Sequence, residues 1–106
     1  MRLKRGVVLA GLSLKMRPVL MFAERVWKEH GRKEGVTVTC GLNGCHSAGS
    51  VHYYGFALDF RTRYWEKSEV AEVARTLQAE LGRAFDVITE TLHIHVEYNN
   101  FNEGEV

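Results

Sequence analysis

The sequence predicts an α+β domain, a small and mostly antiparallel sheet with two helices packed against it. Its grounds are two segments whose apolar residues recur at helical spacing, four short runs that read as strands, and an order in which each helix precedes two strands. A chain of 106 residues has material for one modest core. We therefore expect a single domain over 1–106, its core from about 14 to 98, with a polar tail, "NNFNEGEV", over 99–106.

The basic, briefly apolar opening "MRLKRGVVLAGLSL" has the outline of a signal peptide. Its apolar run is short, however, and passes into a charged amphipathic segment without a convincing cleavage site. We expect no signal peptide and synthesis in a cytoplasm. From Leu14 to His30, Leu20, Ala23 and Trp27, flanked by Val19, Phe22 and Val26, mark the first helix; Pro18 suits its first turn and Gly31 its stop. "VTVTC", residues 36–40, alternates as a half-buried strand does. Residues 41–50, with three glycines, an asparagine and two serines, read as a loop. The strand ending "FALDF" follows, and Val70, Val73, Ala74, Leu77 and Leu81 then define a second helix that Gly82 ends. "FDVIT" and "LHIHVEY" are the last two strands. In the second of these Leu92, Ile94, Val96 and Tyr98 share the core side, and His93, His95 and Glu97 the other.

Fourteen basic and thirteen acidic residues are scattered along the chain, so there is no electrostatic footprint for nucleic acid. No stretch has the length to span a membrane, and we expect a monomer. Cys40 and Cys45 in "CGLNGC" allow a small disulfide loop, free thiols, or part of a zinc site with His46. Without an export signal, free thiols are the favoured reading.

Four of the five histidines fall in two short windows, His46 and His52 in one, His93 and His95 in the other. His30 stands apart at the end of the first helix, where a helix-end or surface role is expected. Asp59 lies among Ala57, Leu58 and Phe60 on a strand that reads as buried. A carboxylate there needs an ion pair, hydrogen bonds or a metal. Gly55 lets the backbone turn between His52 and Asp59, and Ala57 leaves room beside the carboxylate. His52, Asp59 and an imidazole of the last strand would make three protein ligands, a catalytic zinc shell with a fourth position for water. Taken singly, a surface His52 and a salt bridge from Asp59 to Arg61 or Arg63 are the plainer alternatives.

"SVHYYGFALD" fits S-x-H-x-x-G-x-A-x-D, with Ser50, His52, Gly55, Ala57 and Asp59 in place. This resembles the signature of the zinc D-Ala-D-Ala carboxypeptidases and dipeptidases, a group that includes phage L-alanyl-D-glutamate endopeptidases and the amino-terminal domain of hedgehog proteins. "FDVITETLHIHVEY" is similar to the hedgehog and carboxypeptidase ending. The resemblance implies a hedgehog-like fold and a zinc ion on His52, Asp59 and a histidine of the H-I-H pair. Reading "ETLH" as E-x-x-H selects His93; the hedgehog pattern selects His95, and we take His95 as the ligand with His93 as a catalytic neighbour.

By the same resemblance Glu90 is the catalytic acid–base group, taking a proton from the attacking water and returning it to the leaving amine. His46, Ser50 and Arg61 are the expected substrate contacts, and Glu97 either holds a histidine or meets solvent. The implied substrate is a bacterial cell-wall (peptidoglycan) stem or cross-link peptide, and the implied setting a phage or prophage. One departure bears on specificity: the stretch "TCGLNGC" lacks the arginine that in the cell-wall enzymes grips a substrate carboxylate; Arg61 or Arg63 could substitute, and the absence favours an endopeptidase, which needs that clamp less. The alternative function is a zinc-stabilised, hedgehog-like binding or virion structural module without hydrolysis. A His/Asp shell also admits first-row ions other than zinc.

Overall fold

In the computed structural model, which describes residues 1–41 and 55–99, the first helical run begins at Ser13. Its hydroxyl accepts the Lys15 amide at 3.2 Å, opening a single 3₁₀ turn over Leu14–Met16. The α-helix proper, α1, is Arg17–Glu29 with Pro18 in its first turn. Val19, Ala23, Val26 and Trp27 form its buried stripe. The end is a Schellman motif: Gly31, at φ +95°, donates to Lys28 O at 3.1 Å, and Arg32 to Trp27 O at 3.0 Å.

A five-stranded sheet packs on the helices. Its members are β1 (Arg2–Leu3), β2 (Thr37–Cys40), β3 (Ala57–Arg61), β4 (Phe85–Thr89) and β5 (His93–Tyr98), in the spatial order β1-β2-β3-β5-β4. The fold is α+β, as expected, but the sheet is mixed: β1 runs parallel to β2, and the other three pairings are antiparallel. β3, flanked by β2 and β5, is the centre, and four of its five residues are buried. The second helix, α2, spans Lys67–Leu81 and buries Val73, Ala74 and Leu77.

Ile94, Val96 and Tyr98 of β5 enter the core as the alternation requires, but Leu92 does not: it is 59% exposed. The register explains this correction. Arg61↔His93 is the last pair of the β3–β5 ladder, so Leu92 lies beyond the end of β3, in a turn to which strand alternation does not extend. A second correction concerns Cys40, which is disulfide-bonded rather than a free thiol. The chain's other cysteine, Cys45, lies outside the described residues, as do 100–106 of the expected tail. His30 is more than a helix end, since its Nδ1 meets Glu69 Oε2 at 2.5 Å and ties α1 to the first turn of α2.

Two polar side chains fasten the connections. Gln78 Nε2 donates to Gly82 O (2.9 Å) and Phe85 O (2.8 Å), and its Oε1 accepts from Val87 N (3.1 Å), so one residue clips the end of α2 to β4. Gln78→Ala strands three partly buried backbone groups. We expect a loss of roughly 2 kcal/mol in urea unfolding, and a loss within about 0.5 kcal/mol would mean that water replaces the clip.

Glu24 does the same between α1 and β2, accepting Val36 N–H at 2.9 Å and the Met1 amine at 2.7 Å. Burial works against its charge, but the hydrogen bonds from the Met1 amine and Val36, with Lys28 nearby, outweigh it and hold the carboxyl below 4.5. A folded-state pKa that is lowered stabilises above the unfolded value and loses that stabilisation as pH falls through the lowered one. Glu24→Gln is therefore expected to cost about 1 kcal/mol at pH 7, with the difference from wild type shrinking below pH 4.5 in acid titrations of the melting temperature.

Candidate metal centre

The antiparallel register of β3 and β5 sets Asp59 opposite His95 and Arg61 opposite His93. The period of two then puts Asp59, His93, His95 and Glu97 on the face turned away from the core. Asp59 is nevertheless only 2% exposed. Its Oδ1 lies 2.8 Å from His95 Nδ1 and its Oδ2 lies 3.5 Å from His93 Nε2. A buried carboxylate is thus met by two imidazoles. No ion pair joins Asp59 to Arg61 or Arg63 among the described residues, so the plain salt-bridge explanation for its burial does not hold there.

Each imidazole has a second carboxylate partner. His95 Nε2 meets Glu97 Oε1 at 2.7 Å, and His93 Nε2 meets Glu90 Oε1 at 2.8 Å. Glu90 sits in the turn between β4 and β5, where its amide donates to His93 O at 2.9 Å and fixes the turn. Burial disfavours a charge on His95, but its hydrogen bonds to Asp59 and Glu97 and the charges of both outweigh this and raise its pKa to about 9. Two carboxylates thus flank one imidazole, a setting that favours positive charge.

One oxygen each from Asp59 and Glu90 and one nitrogen of His95 all lie within 4.8 Å of one another, a spacing that a single metal ion can bridge. A mixed nitrogen and oxygen donor set of this kind suits zinc and other first-row ions. Glu97 on Nε2 is the outer partner that would orient the His95 ring, and a metal ligated by Nδ1 would take the place of the proton that Nδ1 now shares with Asp59 Oδ1. Asp59 and His93 also line a cavity of about 280 Å³ whose other walls include Lys4, Arg61 and Arg63.

The structure thus brings together Asp59, Glu90, His93 and His95, places Glu97 behind His95, and sets Arg61 on the wall of the adjoining cavity. Both histidines of the H-I-H pair reach Asp59, with His95 the nearer. His46, Ser50 and His52, expected as substrate contacts and a ligand, lie outside the described residues. Gly55 has φ +79°, and a Cβ there would stand 2.7 Å from Gly11 O, so the glycine of the motif is required by the backbone. Sequence reasoning missed Lys4, which carries no local signal: it reaches the cavity because Arg2 and Leu3 pair with β2. No protein-family model, curated protein or solved structure matches the chain.

Proposed function

We propose that the protein is a zinc-dependent peptidase that hydrolyses a peptide bond in bacterial cell-wall stem or cross-link peptides. The observation that carries this reading is a buried Asp59 shared by two imidazoles, with the carboxylate of Glu90 held beside them by His93. The S-x-H-x-x-G-x-A-x-D motif adds His52 as the proposed third ligand with Asp59 and His95. Zinc bound there would supply Lewis-acid polarisation of the scissile carbonyl and a more acidic water.

The chain's own groups do the rest. Glu97 orients His95, and Asp59 offers its charge from a site that excludes solvent. Glu90, about half exposed, is open to a bound peptide. It takes a proton from the attacking water at Oε1 or Oε2 and later gives it to the leaving nitrogen. His93, hydrogen-bonded to Glu90, keeps that carboxylate aimed and can stabilise negative charge developing on the carbonyl oxygen.

The test begins with metal. Metal-free protein titrated with zinc is expected to bind one equivalent, and its unfolding free energy to rise by about 2.7 kcal/mol at a hundredfold excess over Kd. Asp59→Ala should abolish both responses. Purified cell walls incubated with the zinc-loaded protein should then release peptides whose masses identify the bond cut. Stoichiometric zinc without any wall product would move the hedgehog-like binding module to the front; no zinc response at all would discard the metal centre.

A further inference from the structure

Between the loop joining β3 to α2 and the turn joining β4 to β5 lies a second cavity, of about 510 Å³. Thr62, Arg63, Trp65 and Lys67 line it from one side, Glu90 and Leu92 from the other. It adjoins the candidate metal centre, because Arg63 and Leu92 also line the cavity that holds Asp59 and His93.

Its lining selects a ligand chemistry. Arg63 and Lys67 have no carboxylate partner among the described residues, whereas Arg25 and Lys28 on α1 are both paired. Two uncompensated cations on the wall of one cleft raise its affinity for an anion. Glu90 on the opposite wall pairs with His93, and Glu69 in the first turn of α2 with His30; neither makes an ion pair with Arg63 or Lys67.

Thr62 points the same way. It is 1% exposed, its amide donates to Leu92 O at 3.0 Å and its carbonyl accepts from Trp65. Its hydroxyl has no partner among the described residues, although the residue lines the cavity. A ligand oxygen entering the cavity would find that hydroxyl available as a donor. The first turn of α2 completes the wall through Lys67 and Val70; Glu66 makes no side-chain cap there, so the positive end of the helix is uncapped. Trp65 and the exposed Leu92 supply an apolar surface for the body of a short side chain.

We infer that this cavity is a specificity subsite for a carboxylate-bearing peptide residue next to the scissile bond, gripped by Arg63 and Lys67 with the Thr62 hydroxyl as a third donor. The inference rests on the hydrolytic reading above for the word scissile, and on cavity chemistry for the rest. It assigns to the β3–α2 loop the carboxylate grip that the "TCGLNGC" stretch lacks. The carboxylate can belong to an acidic side chain or to a chain terminus, and the same donors serve either.

Three small probes separate these sources: N-acetylglutamic acid α-amide carries only the side-chain carboxylate, N-acetylglutamine only the terminal one, and N-acetylglutamine amide neither. Each is titrated into the full chain while backbone and indole N–H resonances are followed by NMR. One or both charged probes are expected to shift Thr62, Lys67 and the Trp65 indole, and the neutral probe to leave them in place. Arg63→Gln/Lys67→Gln should weaken the charged probe by about tenfold or more. Equal binding of the neutral probe, unchanged affinity in the double variant, or shifts confined to other residues would overturn the subsite. Probe binding with no wall hydrolysis would discard the peptidase and keep the subsite; hydrolysis with no charge preference would do the reverse.

Discussion

Glu90→Gln is expected to lower wall-peptide hydrolysis by about 10²- to 10⁴-fold while leaving zinc stoichiometry at one. The amide is nearly isosteric, and its oxygen can still accept from His93 Nε2, so the turn between β4 and β5 keeps its anchor. What disappears is the ability to take and return a proton. The same geometry admits a competing role, because an oxygen of Glu90 lies within 4.8 Å of the Asp59 and His95 donor atoms and could itself be a ligand. The two roles separate in one experiment. A ligand lost to Gln lowers metal affinity and activity together, whereas a lost acid–base group lowers kcat at saturating zinc and removes its limb from the pH–rate profile. Unchanged kcat in Glu90→Gln would exclude both.

The helices, four of the strands and part of the candidate site are legible in the sequence. Alternation in "LHIHVEY" places His93, His95 and Glu97 on one face, and the strand carries them there with Ile94, Val96 and Tyr98 opposite. Asp59 is legible as a misfit, an acid in an apolar run, because burying a carboxylate demands a reason. Pairing is less legible: that Asp59 stands across from His95 depends on the β3–β5 register, a long-range property that no local pattern encodes. β1 escapes detection because two exposed residues have no periodicity to read. Its parallel pairing with β2 is what makes the sheet mixed and brings the opening segment, with Val7, Leu9 and Leu12, against the core. Leu92 shows the converse error, a hydrophobic residue assigned inward by extending a strand past its last pair. The Cys40 disulfide was hidden for a chemical reason, since spacing alone does not fix redox state.

Trp27→Ala is expected to cost about 3–5 kcal/mol, a large share of the about 5–15 kcal/mol by which such domains are stable. Trp27 is fully buried and packs its indole edge-on to Phe60 of β3, with ring centroids 5.7 Å apart, and against Trp65 at 5.3 Å. Its Nε1–H is shared between Arg61 O at 3.1 Å and Tyr64 Oη at 3.0 Å, and the Tyr64 hydroxyl in turn donates to Arg61 O at 3.0 Å. One side chain of α1 thereby fixes the end of β3 at the residue next to the exit of the chain toward Arg63 and Lys67. Truncation to Ala removes both packing and donor. Trp27→Phe separates them: Arg61 O keeps the Tyr64 hydroxyl, so no buried carbonyl is orphaned, and the expected loss is only about 1–2 kcal/mol. Urea unfolding of the two variants against wild type gives the comparison directly. If Trp27→Phe proved as costly as Trp27→Ala, the shared hydrogen bond rather than the ring would be what holds β3 to α1.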